Sequence, residues 1–485
     1  MPGTSSSVDA RAAFRAAALS TAQRLAPGHG VPLSRHLALL AEADFPEPPP
    51  VWTDERALTV AALLSARARR DALAEGTTVV RRYFDDVRLL RPAALSSGAR
   101  ALLYTSVGEY CAALGWPQVA TRFGAEALLF AEAPALRYRA LTVMSLGHAI
   151  NGEFEAAESS REAADRLFAE HGWPRQEQAY ILLLAEILTS AASLDIERLA
   201  RISRVLDEAF ADNPYAVYTA RAAEVMVQLL RRDFGGARAG ARQLLHSSGS
   251  HESHRMVRSF VVSILSDIYV AQGDPLQALA VLEPYRNPQG HGVCFSMQRS
   301  AALLQLGRER DLLRETDACV ASETDHCLRT LMPVLLGRAL AWNRLGDDRR
   351  ARQSVEAALL IMAQTGTWAT TFSMLPRDET MELVEAVAGA RPDLAAMLPE
   401  LTRTIALVAA PGDDGADRPA GPPLRLTPTE RDLVSQLHSS LSLAEIAHAR
   451  GVSVNTVKSQ VRSIYLKLGV SGRTEAVEHL SGVRA

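Results

Sequence analysis

At 485 residues, with 48% apolar and 22% charged residues and a net charge of −3, the chain is too long for one ordinary core and too apolar to be disordered throughout. About two to four folded domains are expected. The four cysteines, Cys111, Cys294, Cys319 and Cys327, are scattered without a C-x-x-C pair, a spacing that indicates neither a zinc site nor a disulfide framework and fits a reducing cytoplasm. Arg11, Arg15 and Arg24 interrupt the Ala-rich start before a secretory apolar stretch forms. No segment approaches the roughly 18 to 20 uncharged apolar residues of a membrane span, so a soluble cytoplasmic protein without membrane partners is expected.

Residues 1–408 are expected to form a helical repeat domain for sensing or interaction, the pattern being helical almost everywhere from about residue 8. Ala, Leu and Arg dominate, and apolar residues recur at steps of three and four. A turn followed by an apolar-x-x-Ala step keeps returning. It occurs at Gly115 with Ala120, Gly152 with Ala157, Arg232 with Ala237, Gly273 with Ala278 and Gly346 with Ala351. Weaker copies lie at Leu194 with Leu199 and Gly307 with Leu312, so that successive turns are 37, 42, 38, 41, 34 and 39 residues apart. That spacing holds two helices and two turns, and the stretch resembles degenerate tetratricopeptide repeats. Glycine ends the first helix in a left-handed turn, an acidic residue favours the next helix start, and each pair is expected to bury its apolar face only against its neighbours.

Two features of this region invite sharper readings. His246, His251, Glu252 and His254 lack H-E-x-x-H spacing and read as surface polar residues, so no metal is expected. Trp116, Trp173, Trp342 and Trp368 read as packing residues, a ligand pocket built on them being the lesser reading. Residues 409–424, rich in Pro, Gly and Asp with no apolar periodicity, read as a linker.

The tail, residues 425–485, is different in charge. Residues 424–485 carry a net of +3 against −6 for the rest, and both lysines of the chain, Lys458 and Lys467, lie here. Four short helices are predicted. The first opens at Thr427-Pro428-Thr429-Glu430, with Leu433, Val434 and Leu437 facing inward. The second has a Ser442/Glu445 capping box, carries Leu443, Ile446 and Ala447, and ends at Gly451. Ser453 caps the third, residues 454–468, in which Val454, Val457, Val461, Ile464 and Leu468 form an inward stripe. Its opposite face presents Asn455, Lys458, Ser459 and Arg462. Such a face suits the roughly 12 Å wide major groove, Lys458 and Arg462 reaching guanine O6/N7, while Ser442, Thr456 and Lys467 reach phosphates. A fourth helix follows from about Arg473 to Leu480.

Leu426-Thr427-Pro428-Thr429-Glu430-Arg431, Glu445-Ile446-Ala447, Gly451-Val452-Ser453, Thr456-Val457-Lys458, Lys467-Leu468-Gly469-Val470 and Arg473-Thr474-Glu475-Ala476-Val477 resemble the LuxR-type (FixJ/NarL-like) DNA-binding domain. The resemblance implies an all-α protein, a tetratricopeptide-like solenoid followed by a four-helix helix-turn-helix domain, acting as a transcriptional regulator. It implies base contacts from Lys458, Ser459 and Arg462 with Asn455 beside them, and backbone contacts from Thr456 and Gln460. It also implies a homodimer formed partly through Glu475, Ala476, Val477 and Leu480 of the fourth helix. The sequence departs from the family at Gln460, where His is frequent, at Leu466 and at Gly472. Repeats before such a tail are also similar to regulators of the MalT type, but their ATPase is missing: no G-x-x-x-x-G-K-[ST] occurs. The α/β alternation of a receiver domain is absent too.

The expected protein is therefore no enzyme and uses no cofactor. It binds double-stranded DNA, associates with the nucleoid when bound, and answers to a protein, peptide or small-molecule effector on its repeats. The alternative is a repeat scaffold for protein interaction whose tail serves mainly in dimerisation.

Overall fold

The computed structural model describes residues 4–246, 253–288, 290–322, 326–366, 369–372 and 374–408, and, of the tail, residues 433, 436–437, 441–454, 456–458, 460–461 and 464. The chain divides into two compact units, Met1–Val408 and Ala409–Ala485. The linker read at 409–424 lies outside the described residues.

The first unit is built from helices. Thr4–Gln23, Ser34–Glu42, Asp54–Arg69 and Thr78–Tyr83 lead into seven helix pairs. The pairs are Ser97–Leu114 with Pro117–Phe130, Pro134–Asn151 with Phe154–Glu170, Tyr180–Ala192 with Ile196–Ala209, and Pro214–Leu230 with Phe234–His246. Arg255–Ala271 with Pro275–Leu282, Phe295–Gln305 with Glu309–Ala321, and Leu328–Arg344 with Asp348–Thr365 complete them. Each second helix packs between its own partner and the next first helix, and first helices also pack on one another. Arg377–Ala388 and Leu398–Val408 close the last pair, burying Val384, Leu401 and Ile405 against Leu335, Val355 and Leu359.

One local device makes every pair. The turn residues Gly115, Gly152, Leu194, Arg232, Gly273, Gly307 and Gly346 all have positive φ, between 57° and 92°. At each, the turn N–H donates to the carbonyl three residues back and the following N–H to the carbonyl five back, at 2.8–3.0 Å for the latter. Those paired bonds satisfy carbonyls the helix end would leave open. Asp195, Asp233, Asp274 and Asp347 then accept the N–H three residues on, capping the second helix. Five residues after the turn, Ala120, Ala157, Leu199, Ala237, Ala278, Leu312 and Ala351 are all buried, which seats the second helix against the first.

Leu194 and Arg232 hold this left-handed conformation at a cost that glycine avoids, about 1–2 kcal/mol. Arg232 is exposed, so Arg232→Gly removes strain and little packing. After the roughly 0.5–1 kcal/mol entropy cost of glycine, it is expected to stabilise the unit by up to about 1 kcal/mol, read as a higher urea midpoint at unchanged slope. Gly273→Ala, in open space at φ 74°, is expected to move the midpoint the other way.

Two departures from the sequence reading stand out. The stretch after Tyr83 is not helical. Phe84–Asp85 pairs antiparallel with Arg88–Leu89 around Asp86, itself at φ 53°, and Trp52 exchanges backbone hydrogen bonds with the 92–94 segment. Nor does each pair touch only its neighbours: the array closes on itself. The Gly292 N–H donates to the Gly115 carbonyl, Gln118 Nε2 to the His326 carbonyl at 2.8 Å, and Arg329 Nε to the Ile150 carbonyl at 3.0 Å. The Leu328 N–H donates to Asn151 Oδ1 at 3.1 Å. The Gly115 carbonyl, at its left-handed turn, and the Ile150 carbonyl, in the last turn of its helix, thus take donors from the loop before the sixth pair and from the first turn of the seventh, whose preceding loop accepts from Gln118.

Candidate nucleic-acid interface

In the tail the sequence builds a helix-turn-helix from its capping residues. The Ser442 N–H donates to Glu445 Oε2 at 2.7 Å and the Glu445 N–H to Ser442 Oγ at 3.3 Å, starting helix Leu443–Ala449. These bonds to Ser442 hold the Glu445 carboxyl below its ordinary pKa. Gly451, at φ 66°, ends that helix with the same paired bonds seen in the repeats, Gly451 N–H to the His448 carbonyl and Val452 N–H to the Ala447 carbonyl. Ser453 Oγ accepts the Thr456 N–H at 3.0 Å, so the next helix begins at once, and residues 454, 456–458, 460–461 and 464 are helical.

A small core sets the angle between these helices. Leu433, Leu437, Ile446, Ala447, Val457, Val461 and Ile464 are buried together, with Leu443 half-buried against them. Val434 and Leu468 lie outside the described residues. Val454 does not join this core: it is 38% exposed. It stands in the first turn, at the edge of the core, and one turn before Lys458.

The outward face carries the predicted contacts that are described. Lys458, Thr456 and Ser442 are exposed, Thr456 Oγ1 lying 2.7 Å from Ser453 Oγ. Gln460 is half-buried, with its Oε1 out of solvent. Asn455, Ser459, Arg462 and Lys467, and the fourth-helix residues Glu475, Ala476, Val477 and Leu480, lie outside the described residues. An exposed cation on a helix whose other side is anchored can approach a polyanion without unpacking anything.

The first unit places several singled-out residues differently from their sequence reading. His254 is not a surface residue. It is half-buried just before helix Arg255–Ala271, its ring stacked on Tyr180 and tilted against Tyr215, with centroids 5.5 and 4.7 Å away, and desolvation lowers its pKa to about 4. His246 is exposed, and His251 and Glu252 lie outside the described residues. Trp116, Trp173 and Trp342 are half-buried and Trp368 is undescribed, whereas Trp52, which the sequence did not single out, is fully buried against Tyr83. Scattered in sequence, Cys294 and Cys319 meet in space: with His291 and His326 they place four ligand atoms within 4.8 Å of one another. No described helix is long and apolar enough to cross a membrane.

The tail has known counterparts. Residues 424–480 match the family described as bacterial regulatory proteins, luxR family. A probable HTH-type transcriptional regulator, GfsR, from Streptomyces halstedii is 37% identical over 79 residues, which make up 16% of this chain and 32% of that protein. The similarity thus spans about a third of that relative's length. Residues 424–480 are therefore a LuxR-family helix-turn-helix domain carried by an all-α chain.

Proposed function

We propose that the chain is a transcriptional regulator that binds double-stranded DNA as a homodimer, lays the helix 454–468 in the major groove, and answers to an effector on its helical repeats. The observation that carries the reading is the exposed Lys458 on a helix anchored by Val457, Val461 and Ile464, within a stretch matching the luxR family. In this reading Lys458, Ser459, Arg462 and Asn455 meet base edges, and the exposed Val454 offers an apolar contact to a thymine methyl. Ser442, Thr456, Gln460 and Lys467 hold the backbone, while Glu475, Ala476, Val477 and Leu480 join the dimer. Among the described residues nothing assigns a catalytic role, and the protein works in the cytoplasm, on the nucleoid when DNA-bound.

A cavity of about 430 Å³ in the first unit supports the effector, a volume within the range of small-molecule sites. Leu25, Tyr138, Tyr180, Tyr215 and His254 are among its lining residues, with the mutually paired Arg139 and Glu109 beside them, a largely aromatic wall that suits a small amphipathic molecule.

Fluorescence anisotropy of the full chain with fragments selected from its own genome tests the reading. Site-specific binding that weakens with salt is expected. Arg462→Ala is expected to cost about 1–3 kcal/mol and to relax one base position, while Lys467→Ala lowers the salt slope by about one and leaves the preferred site unchanged. Absence of any preferred site would leave a repeat scaffold whose tail serves assembly.

A further inference from the structure

We propose that His291, Cys294, Cys319 and His326 bind a zinc(II) ion that staples the loops before the sixth and seventh helix pairs where the array closes on itself. The four residues come from two places. His291 and Cys294 immediately precede helix Phe295–Gln305; Cys319 lies in the last turn of Glu309–Ala321, and His326 precedes Leu328–Arg344. Cys294, Cys319 and His326 are buried and His291 half-buried, and their ligand atoms lie within 4.8 Å of one another.

The sulfur geometry discriminates between uses of such a cluster. Cys294 Sγ and Cys319 Sγ are 3.7 Å apart. Two thiolates about 2.3 Å from one tetrahedral zinc stand about 3.8 Å apart, whereas a disulfide needs about 2.05 Å. The histidines are set for the same role. His326 Nδ1 is 2.9 Å from the Cys327 carbonyl, a bond that fixes the tautomer with Nε2 free to coordinate. His326 Nε2 and His291 Nδ1 are buried without a hydrogen-bond partner among the described residues, a costly state for polar atoms. Two thiolates and two neutral imidazoles also balance the charge of a divalent ion in a closed site, the pattern of structural rather than catalytic zinc.

Position gives the ion its task. The loop before the sixth pair donates to the Gly115 carbonyl, the loop before the seventh accepts from Gln118 through the His326 carbonyl, and Arg329, three residues after His326, donates to the Ile150 carbonyl; Thr330 Oγ1 donates to the His291 carbonyl at 2.9 Å. A cross-link among residues 291, 294, 319 and 326 therefore holds the surface that docks onto the first and second pairs.

The test uses the full chain purified without metal-affinity resin. Elemental analysis is expected to find about one zinc per chain, released when a mercurial blocks the thiols. Stripping with chelator is expected to lower the melting temperature and re-adding zinc to restore it. The Cys294→Ser/Cys319→Ser variant should lose the ion. Should that variant not fold, cobalt(II) added to the stripped native chain is expected to show a thiolate charge-transfer band and the strong visible absorption of tetrahedral coordination. Zinc-loaded, desalted native chain that keeps no metal would overturn the proposal. So would octahedral cobalt spectra, or a Cys294–Cys319 disulfide in protein isolated under alkylation.

Discussion

Glu109→Ala is expected to destabilise the first unit by about 3–5 kcal/mol, the scale for removing one member of a buried ion pair. Glu109 and Arg139 are each only 4% exposed and 2.8 Å apart. Arg69 Nε and Ser65 Oγ also donate to the Glu109 carboxylate, each at 2.8 Å, and Arg139 donates further to Thr105 Oγ1 and the Leu25 carbonyl. Alanine at 109 leaves the Arg139 guanidinium buried without its counter-charge, and that orphaned cation, more than the lost attraction, sets the cost. A combined Glu109→Leu/Arg139→Met variant is therefore expected to lose much less than either single truncation to Ala, because both charges leave together. Urea unfolding of the four proteins checks this; a Glu109→Ala cost below about 1 kcal/mol would show the pair to be solvated.

The same pair makes the unit sensitive to acid. Burial alone raises the Glu109 pKa, but Arg69 and Arg139, by charge and hydrogen bonding, outweigh it and hold the carboxyl at about 2. The unfolded carboxyl titrates near 4.5, so the unfolded chain takes up the proton first. The stabilisation is full above that value and is lost as pH falls from about 4.5 towards 2. His254, lowered from 6.5 to about 4, adds a loss in the window between those values. In Glu109→Gln the lower step should vanish and the upper one remain.

Ile446→Ala is expected to cost about 2–5 kcal/mol in the helix-turn-helix domain. Ile446 is fully buried among seven apolar residues, and a domain of this size has little stability to spare. Hydrogen exchange should then rise across residues 441–464, and site-specific DNA binding should fall by far more than for Lys458→Ala. Met1–Val408 should keep its protection. Retained binding with unchanged exchange would mean that the core seen around Ile446 is not what holds the reading helix.

What the sequence determined by itself was local. The seven turns were legible because a left-handed residue and a buried residue five positions on act locally, joined at four of them by an Asp cap, and the rule held even where Leu194 and Arg232 replace glycine. The second and third helices of the tail were legible for the same reason, through Ser442, Gly451 and Ser453. Tertiary structure alone decided the rest. The closing of the array depends on partners such as Ile150 and Arg329, 179 residues apart, and no periodicity encodes that separation. The burial of His254, the pairing of Glu109 with Arg139 and the meeting of Cys294 with Cys319 arise from helices brought together by packing. Spacing along a chain reports which residues share a face; only the stacking of faces decides which buried charges and ligands meet.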